Sequence, residues 1–214
     1  AFFAGQYPAP VRYLSPNVAQ VVLVDAQKSR LYVLANQRDD AGKRSFKVVF
    51  DAYVSIGNNG IGKWREGDGK TPAGVYFVQK HLTDPMLPDL YGSGALTLDY
   101  PNPLDKQQQR TGSGIWLHGS PSEQYARPPM ATDGCVVLAN DDMLELVKHG
   151  VRAGTPVIAD FNDDHFDHSL MGGYWRQLAR LATQFADRPG NYLAFFSSFE
   201  YLRQAFDRLQ EHPP

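Results

Sequence analysis

The sequence predicts a mainly β fold with an α-helical appendage, in which a β-sandwich or barrel precedes a C-terminal helical hairpin. Short segments rich in β-branched and aromatic residues recur in the first three quarters of the chain, joined by glycine and proline turns. Helical periodicity dominates only after them. We therefore expect an N-terminal arm at 1–18, a β domain at 19–162 and the helical hairpin at 163–214.

Strands are predicted wherever an apolar, β-branched segment is bounded by turn residues. The first two are separated only by residues 25–28, so we expect a hairpin there. The third ends at residues 57–60 (Gly-Asn-Asn-Gly), which favour left-handed turn conformations. The short connections indicate mainly antiparallel pairing. The predicted strands are 19–25, 29–35, 45–56, 74–79, 95–100, 114–118 and 156–160.

One helix is predicted inside the β domain. Residues 140–142 (Asn-Asp-Asp) supply an N-cap and an acidic first turn, and residues 148–150 (Lys-His-Gly) supply a basic last turn and a terminating glycine. Farther along, apolar residues recur at three- and four-residue intervals on both sides of a turn at 187–190. These stripes predict the two helices of the hairpin, whose apolar faces must be covered by the β domain or by another chain.

Composition and charge exclude several classes of protein. The 214 residues are 43% hydrophobic and 21% charged, which is typical of one globular domain with a smaller appendage. A net charge of −2 argues against a nucleic-acid binder, which carries a basic surface. No apolar run reaches the ~18 residues that span a bilayer. The chain begins at Ala1 without an initiator methionine or a basic leader, so we expect that it has been processed.

The most informative residues are the single cysteine, Cys135, and His118, which ends an apolar strand before Gly119. A thiol becomes a nucleophile when a base removes its proton, and a histidine with an ordinary pKa of ~6.5 is such a base. Lone cysteines are more often inert core residues. This one follows Gly134 in a turn, where a substrate can approach the backbone and N–H groups can hold an oxyanion. The pair therefore favours nucleophilic catalysis.

Two other motifs carry less weight. Residues 69–71 (Gly-Lys-Thr) look like the end of a phosphate-binding loop, but Trp64 occupies the required earlier glycine position and a strand is predicted to follow. Residues 163–168 (Asp-Asp-His-Phe-Asp-His) contain metal-ligand types, yet a solvated start of a helix explains them equally well. We expect neither a metal nor a cofactor.

The cysteine and histidine motifs resemble those of the L,D-transpeptidase (YkuD-type) catalytic domain family. Members combine a His-Gly pair with Ser/Thr-x-Gly-Cys after a gap, and this chain has these at 118–119 and 132–135. The resemblance covers residues 19–160 in the family's order and leaves the predicted hairpin outside. Its further segments are the Ile-Gly-Asn-Asn-Gly turn at 56–60, the Gly-Asp-Gly-Lys-Thr-Pro-Ala-Gly segment at 67–74 and the Gly-Thr-Pro-Val strand at 154–157.

This resemblance implies a β-rich domain that acts on bacterial peptidoglycan in the periplasm or cell envelope. Cys135 would attack the carbonyl between an L-centre and a D-amino acid of a stem tetrapeptide and form a thioester. His118 would be the base, beside Gly119, and backbone N–H groups around Gly134 and Cys135 would form the oxyanion hole. The acyl acceptor would be an amine of a neighbouring stem peptide, a free D-amino acid or a lipoprotein lysine.

Two positions depart from the family pattern. Many members have a histidine where this chain has Asp133, and an arginine where it has Val137. A carboxylate near the thiol opposes thiolate formation, so we expect Asp133 either to orient His118 as a triad carboxylate does or to face solvent and fix the loop. Another cation must then recognise the substrate carboxylate. The candidates are Arg127, Lys63 and Arg65.

Substrate contacts are expected from the catalytic turn and the segments next to it. Residues 82–113 form a long, proline-containing connection, which is either a substrate-side flap or a surface excursion. The residues predicted to contact substrate are Thr132, Trp116, Arg127 and Tyr91.

The favoured function is thus a cysteine-dependent L,D-transpeptidase that cross-links stem peptides or exchanges their terminal D-amino acid. If water resolved the thioester, the same scaffold would be an L,D-carboxypeptidase. A non-catalytic module that binds the cell wall or a partner is the alternative from another class, with the helical hairpin as its interaction surface. Pure binding, however, has no need of the Cys135–His118 pair.

Overall fold

The computed structural model describes residues 17–159 apart from 39–41, 43, 84–86 and 126, together with Val11 and Leu14. It shows mostly β-sheet with few helices, as the sequence predicts. The helical hairpin predicted at 163–214 and most of the predicted arm at 1–18 lie outside the described residues. Their domain boundaries therefore stay predictions.

Every strand predicted within the described residues is present, with ends shifted by a few residues. Between residues 17 and 159 the helices are a short 3₁₀ turn (Asp89–Tyr91), α1 (Pro103–Gln107) and α2 (Asn140–Lys148). The strands are β1 (Gln20–Asp25), β2 (Arg30–Arg38), β3 (Arg44–Tyr53), β4 (Ile56–Gly57), β5 (Gly74–Leu82), β6 (Ala95–Leu98), β7 (Trp116–His118), β8 (Met130–Thr132), β9 (Val136–Val137) and β10 (Pro156–Ala159).

Eight of these strands form one sheet, in the order β3-β2-β1-β10-β5-β6-β7-β9, and β4 pairs with β8. Most neighbours are antiparallel, including the predicted β1–β2 hairpin, whereas β1–β10, β7–β9 and β4–β8 are parallel. An antiparallel bridge between Ser55 and Val137 links β9 to the chain that leaves β3. The bridge connects the two ends of the strand order, so the sheet curls towards a barrel.

Strands β4, β8 and β9 were not predicted as separate elements. Each has only two or three residues, too few for a period-2 pattern, and each exists through pairing with a distant part of the chain. The predicted strand 45–56 divides into β3 and β4 because Ser55 turns to bond Val137 in both directions at 2.9 Å. The predicted connection 82–113 contains the 3₁₀ turn, β6 and α1, and is therefore not one continuous flap.

Helix α2 is correctly predicted, but its cap is not the predicted one. The N-cap residue is Ala139, which makes no side-chain cap, and the Asn140 side chain bonds elsewhere. Met143 and Leu146 on the inner face of α2 belong to the same buried cluster as Leu117 of β7 and Val136 of β9. This packing fixes α2 against the strands that flank the Cys135 turn.

The loop between β4 and β5 is folded around Asp68. Its carboxylate accepts hydrogen bonds from Lys63 Nζ at 2.8 Å and from the N–H groups of Trp64, Arg65 and Lys70 at 2.7–3.1 Å. Burial opposes ionisation, but these donors outweigh it and hold the pKa of Asp68 well below its usual range. The family-like segment 67–74 thus contains the residue that organises its own loop.

Thr71 joins this loop to the turn that carries Cys135. Its hydroxyl accepts a hydrogen bond from the Gly57 N–H and donates one to the Gly134 carbonyl, both at 2.9 Å. The residue is 1% exposed, so water cannot replace either partner. Three segments that are far apart in sequence are therefore held together by one buried hydroxyl.

Replacing Thr71 with Val should lower the free energy of unfolding by about 2–4 kcal/mol, because it leaves a buried N–H and a buried carbonyl without partners. Thr71→Ser, which keeps the hydroxyl, should lose less than half as much. Urea denaturation of the three proteins at pH 7 measures both effects. Equal stability of the Val and Ser variants would show that the hydroxyl does not hold these segments together.

Candidate active site

The pairing of β7 with β9 brings the Cys135 turn to His118. Leu117 lies opposite Val136, and His118 lies opposite Val137, in parallel register. Cys135 immediately precedes β9, and the backbone of Trp116, the first residue of β7, hydrogen-bonds its sulfur. Because side chains alternate between the faces of a strand, Trp116 and His118 share one face of β7. The sulfur of Cys135 therefore lies beside the strand that carries His118, two residues from it along β7.

The structure fixes the orientation of the His118 ring. His118 is 3% exposed, and its Nδ1 lies 2.7 Å from the carbonyl oxygen of Gly119. A carbonyl can only accept, so Nδ1 carries the proton and Nε2 of the neutral ring keeps a free lone pair. Burial lowers the pKa of His118 to about 4, with a smaller contribution from the Arg127 charge and a partial offset from the Gly119 bond. At neutral pH the ring is an uncharged base.

Cys135 is partly buried and carries a protonated thiol at rest. Its Sγ donates to the Gly114 carbonyl at 3.3 Å. Burial raises the pKa of the thiol, and the Asp133 carboxylate raises it further. The Trp116 backbone and the charges of Arg127 and Lys63 act in the opposite direction without reversing the shift. The resting pair is therefore a neutral thiol and a neutral imidazole.

Gly134 is required where it stands, because its φ is +134° and an added Cβ would lie 2.7 Å from the Lys70 carbonyl oxygen. Its N–H donates to Thr132 Oγ1 at 3.1 Å. The predicted oxyanion hole therefore needs a correction, since the Gly134 N–H is already occupied. Within the described part of the chain the Cys135 N–H has no acceptor, and it is the candidate donor to an oxyanion.

Thr132 holds the catalytic turn and is not placed to bind substrate as predicted. It is 5% exposed, and besides accepting from Gly134 its hydroxyl donates to the Cys135 carbonyl at 2.7 Å. The hydroxyl thus has both its donor and its acceptor partner inside the turn. Its carbonyl also accepts from the Asn58 N–H at 2.7 Å, which ties the turn to the loop after β4.

Asp133 does not orient His118. The side chain is exposed, and the position that a triad carboxylate would occupy at Nδ1 is taken by the Gly119 carbonyl. Of the two expected roles, the solvent-facing one agrees with the structure. The catalytic role predicted for Asp133 is therefore replaced by a backbone carbonyl, and its charge only opposes thiol ionisation.

Tyr91 and Trp116 form an aromatic wall beside the base. The Tyr91 ring packs edge-to-face on the His118 ring, with centroids 5.1 Å apart, and lies 4.6 Å from the Trp116 ring. Both aromatic side chains are half-buried. Of the predicted connection 82–113, the part around Tyr91 thus reaches the site, as a substrate-side position requires.

Arg127 is the cation whose charge reaches the candidate pair. It lowers the pKa of His118 and acts in the same direction on Cys135. Its Nη1 donates to the Ala131 carbonyl at 3.2 Å, while the buried Nε has no acceptor within the described residues. Lys63, by contrast, is 3% exposed and bound to Asp68, so it is not available to a substrate.

The described residues contain no group of three or more His, Cys, Asp or Glu side chains that could hold a metal ion. The acidic and histidine-rich segment at 163–168 lies outside them. In the part of the chain that the structure covers, no helix is long and apolar enough to cross a membrane.

The depressed pKa of His118 makes the stability of the protein depend on pH. The unfolded chain takes up a proton near the ordinary value of 6.5, but the folded protein does so only near 4. Stability that is fully present above pH 6.5 is therefore lost as the pH falls towards 4, by about 3 kcal/mol.

Urea unfolding at pH 7 and 4.5 tests this, with His118→Asn as the matched control because its amide can still donate to Gly119. The stability advantage of the wild type over the variant should shrink by about 2–3 kcal/mol at the lower pH. An advantage that is the same at both pH values would show that His118 is not buried as a neutral base.

Comparison with known proteins agrees with this geometry. The YafK protein of Escherichia coli K12, of L,D-transpeptidase type by name, is 25% identical over 144 residues, or 61% of this chain and 54% of YafK. This chain spans about half the length of the curated relatives it matches. Among solved structures, the helical cell shape determining protein Pgp2 from Campylobacter jejuni shares the fold at a TM-score of 0.56 and 23% identity. It aligns with 90% of this chain, which covers 68% of Pgp2.

Bd1075 from Bdellovibrio bacteriovorus is a further structural match, with a TM-score of 0.53 and 27% identity over 90% of this chain and 71% of its own. The L,D-transpeptidase catalytic domain model matches residues 19–158, which include every residue of the candidate site. Because that match covers well over half of the 214 residues, this protein belongs to the L,D-transpeptidase catalytic domain (YkuD) family.

Proposed function

We propose that this protein is a cysteine-dependent L,D-transpeptidase that acts on peptidoglycan stem tetrapeptides in the periplasm or cell envelope. One observation carries the proposal: a buried, neutral His118 has its proton fixed on Nδ1 and lies two residues along β7 from Trp116, whose backbone hydrogen-bonds the Cys135 sulfur. A thiol beside an imidazole with a free Nε2 is suited to nucleophilic acyl transfer. Family membership supplies the substrate class.

In the first half-reaction, Cys135 Sγ attacks the carbonyl between the L-centre and the terminal D-amino acid while its proton passes to His118 Nε2. The carbonyl π-electrons move to oxygen, and the Cys135 N–H stabilises the resulting oxyanion. Collapse of the tetrahedral intermediate breaks the carbon–nitrogen bond, and the His118 imidazolium protonates the leaving amine. The D-amino acid departs and a thioester remains.

In the second half-reaction, an acceptor amine attacks the thioester carbonyl and His118 removes a proton from that amine. The carbon–sulfur bond then breaks, the thiolate regains a proton and a new amide bond is formed. A stem-peptide amine gives a cross-link, and a free D-amino acid gives exchange. A lipoprotein lysine is a third acceptor of the same chemistry, and water would give a carboxypeptidase.

The neutral resting pair has a consequence for the mechanism. Because burial raises the pKa of Cys135 and lowers that of His118, a preformed thiolate–imidazolium pair is disfavoured. Proton transfer must accompany attack, so His118 works as a general base in the transition state. This arrangement keeps the thiol weakly reactive until a substrate carbonyl is in place.

The named role of Pgp2 in helical cell shape belongs to that protein, and its identity to this chain supports the fold alone. We propose a similar role for this chain: its remodelling of stem peptides would alter cross-linking and so contribute to cell shape. Growth morphology of a strain that carries Cys135→Ala would test this extension.

Incubation with a carbapenem followed by intact-protein mass spectrometry tests the nucleophile. Cys135 Sγ attacks the β-lactam carbonyl as His118 takes its proton, the carbon–nitrogen bond of the ring breaks, the ring nitrogen takes up a proton and the whole mass of the drug is retained. We expect one adduct per chain in the wild type, none in Cys135→Ala, and acylation at least tenfold slower in His118→Asn.

Stem tetrapeptide and disaccharide-tetrapeptide substrates then identify the product: a mass gain by amide formation supports transpeptidation, and tripeptide alone supports the carboxypeptidase. If Cys135 stays free and reduced with both the drug and the substrates, catalysis by this cysteine is contradicted. The non-catalytic wall-binding module would then be the better proposal.

Arg127 is proposed to bind the terminal carboxylate of the donor stem. Arginine pairs well with carboxylates, and the charge of Arg127 acts on both His118 and Cys135. Arg127→Met should lower kcat/KM at least tenfold for a tetrapeptide with a free carboxylate, and less than threefold for its terminal amide. Arg152→Met, at an exposed position, is the matched control and should leave both values unchanged. Equal losses on both substrates would exclude carboxylate recognition by Arg127.

A further inference from the structure

We propose that Asn140 is a positioning residue for the candidate base, His118: its side-chain oxygen holds the turn 91–94, which in turn fixes Gly119. The inference deepens the proposed function, because it concerns how the base of the same reaction is kept in one tautomer. It rests on contacts of a side chain that the sequence assigns to another task, the cap of α2.

The Asn140 side chain is not used by its own helix. Helix α2 begins at Asn140 with Ala139 as its N-cap, and no side chain caps it. Asparagine is among the preferred capping residues, but here it occupies the first helical position and caps nothing. The side chain is bound elsewhere in the molecule instead.

Asn140 clamps Ser93 from both of its oxygens. The side-chain Oδ1 accepts from the Ser93 N–H at 2.8 Å, and the backbone carbonyl accepts from the Ser93 hydroxyl at 2.9 Å. Ser93 lies in the turn that follows Tyr91, between two glycines with positive φ. These bonds attach that turn to the first turn of α2, which is anchored in the core by Met143 and Leu146.

Two glycines make room for this oxygen. A Cβ on Gly92 would collide with Asn140 Oδ1 and the Ser120 carbonyl, and a Cβ on Gly119 would collide with Asn140 Oδ1 and come within 2.9 Å of the Ser93 N–H. Glycine at both positions is therefore tied to the presence of the Asn140 side chain. Close packing against Asn140 and Ser93 therefore explains why position 119 is a glycine.

The turn 91–94, which Asn140 holds, is connected to His118 through the backbone of Gly119. The Gly119 N–H donates to the carbonyls of Tyr91 and Gly94, both at 3.1 Å, and the Gly119 carbonyl accepts from His118 Nδ1. The same turn presents the Tyr91 ring to the edge of the imidazole. When the turn is held, the Gly119 carbonyl keeps the proton on Nδ1, and Nε2 stays free to accept the thiol proton.

Loss of the Asn140 oxygen should therefore loosen the bond to Nδ1 and allow the second tautomer, in which Nε2 carries the proton and cannot act as a base. A substitution that only destabilises the protein would not change the tautomer ratio of the folded state. The ratio is consequently a direct readout of positioning, and it does not depend on which acyl acceptor or substrate the protein uses.

Long-range ¹H–¹⁵N spectra of the histidine rings measure the tautomer, with His118→Asn identifying the signals of His118. The wild type should show a single tautomer protonated on Nδ1. Asn140→Ala and Asn140→Ser, whose side chains are too short to reach the Ser93 N–H, should show at least a fifth of the other tautomer and react at least tenfold more slowly with a carbapenem. Asn140→Asp keeps the accepting oxygen and should retain the wild-type tautomer.

Asp141→Ala, at an exposed position in the same turn of α2, is the matched control and should behave as the wild type. If Asn140→Ala does not fold, the Ser variant carries the test. A pure Nδ1 tautomer in a folded Ala or Ser variant would overturn the positioning role. If the wild type is not acylated at all, the proposed function fails, while the tautomer ratio still decides the role of Asn140.

Discussion

The candidate site depends above all on the hydrogen bond from His118 Nδ1 to the Gly119 carbonyl. An acceptor at Nδ1 fixes the tautomer of a neutral imidazole, and here that acceptor is backbone. The Gly119 N–H is in turn bonded to the carbonyls of Tyr91 and Gly94, so the peptide groups on both sides of the Gly119 Cα are held by hydrogen bonds. The orientation of the base is therefore determined by the path of the main chain, and no carboxylate is required for it.

A backbone acceptor also differs electrostatically from a carboxylate. A carboxylate at Nδ1 would raise the pKa of His118 and favour an imidazolium, whereas a neutral carbonyl offsets only part of the effect of burial. Burial likewise raises the pKa of the Cys135 thiol. Both partners are thus kept uncharged at rest. In the proposed mechanism, charge separation would develop only as a substrate carbonyl accepts the sulfur.

The sequence predicted the parts of the molecule that depend on local pattern. The β1–β2 hairpin and α2 are encoded by alternation and by helical spacing within short windows. Strand β9 and the true partner of His118 Nδ1 were not predictable in this way, because both arise from contacts between distant segments. An orienting role was one of the two alternatives expected for Asp133, since carboxylates are visible in a sequence and backbone carbonyls are not. Thr132 was misassigned for the same reason, its hydroxyl being consumed by its own turn.

Val137, where many family members have an arginine, lies at the closure of the sheet. It is 3% exposed, and its backbone N–H and carbonyl both bond Ser55, so the main chain at this position serves the curl of the barrel whichever side chain it carries. Positive charge instead reaches Cys135 from Arg127, in the segment before β8, whose carbonyl is anchored by the Tyr53 hydroxyl at 2.7 Å. The charges of Arg127 and Lys63 thus act on Cys135 from loops, whereas Val137 supplies none, and together they do not reverse the rise in the pKa of the thiol that burial causes.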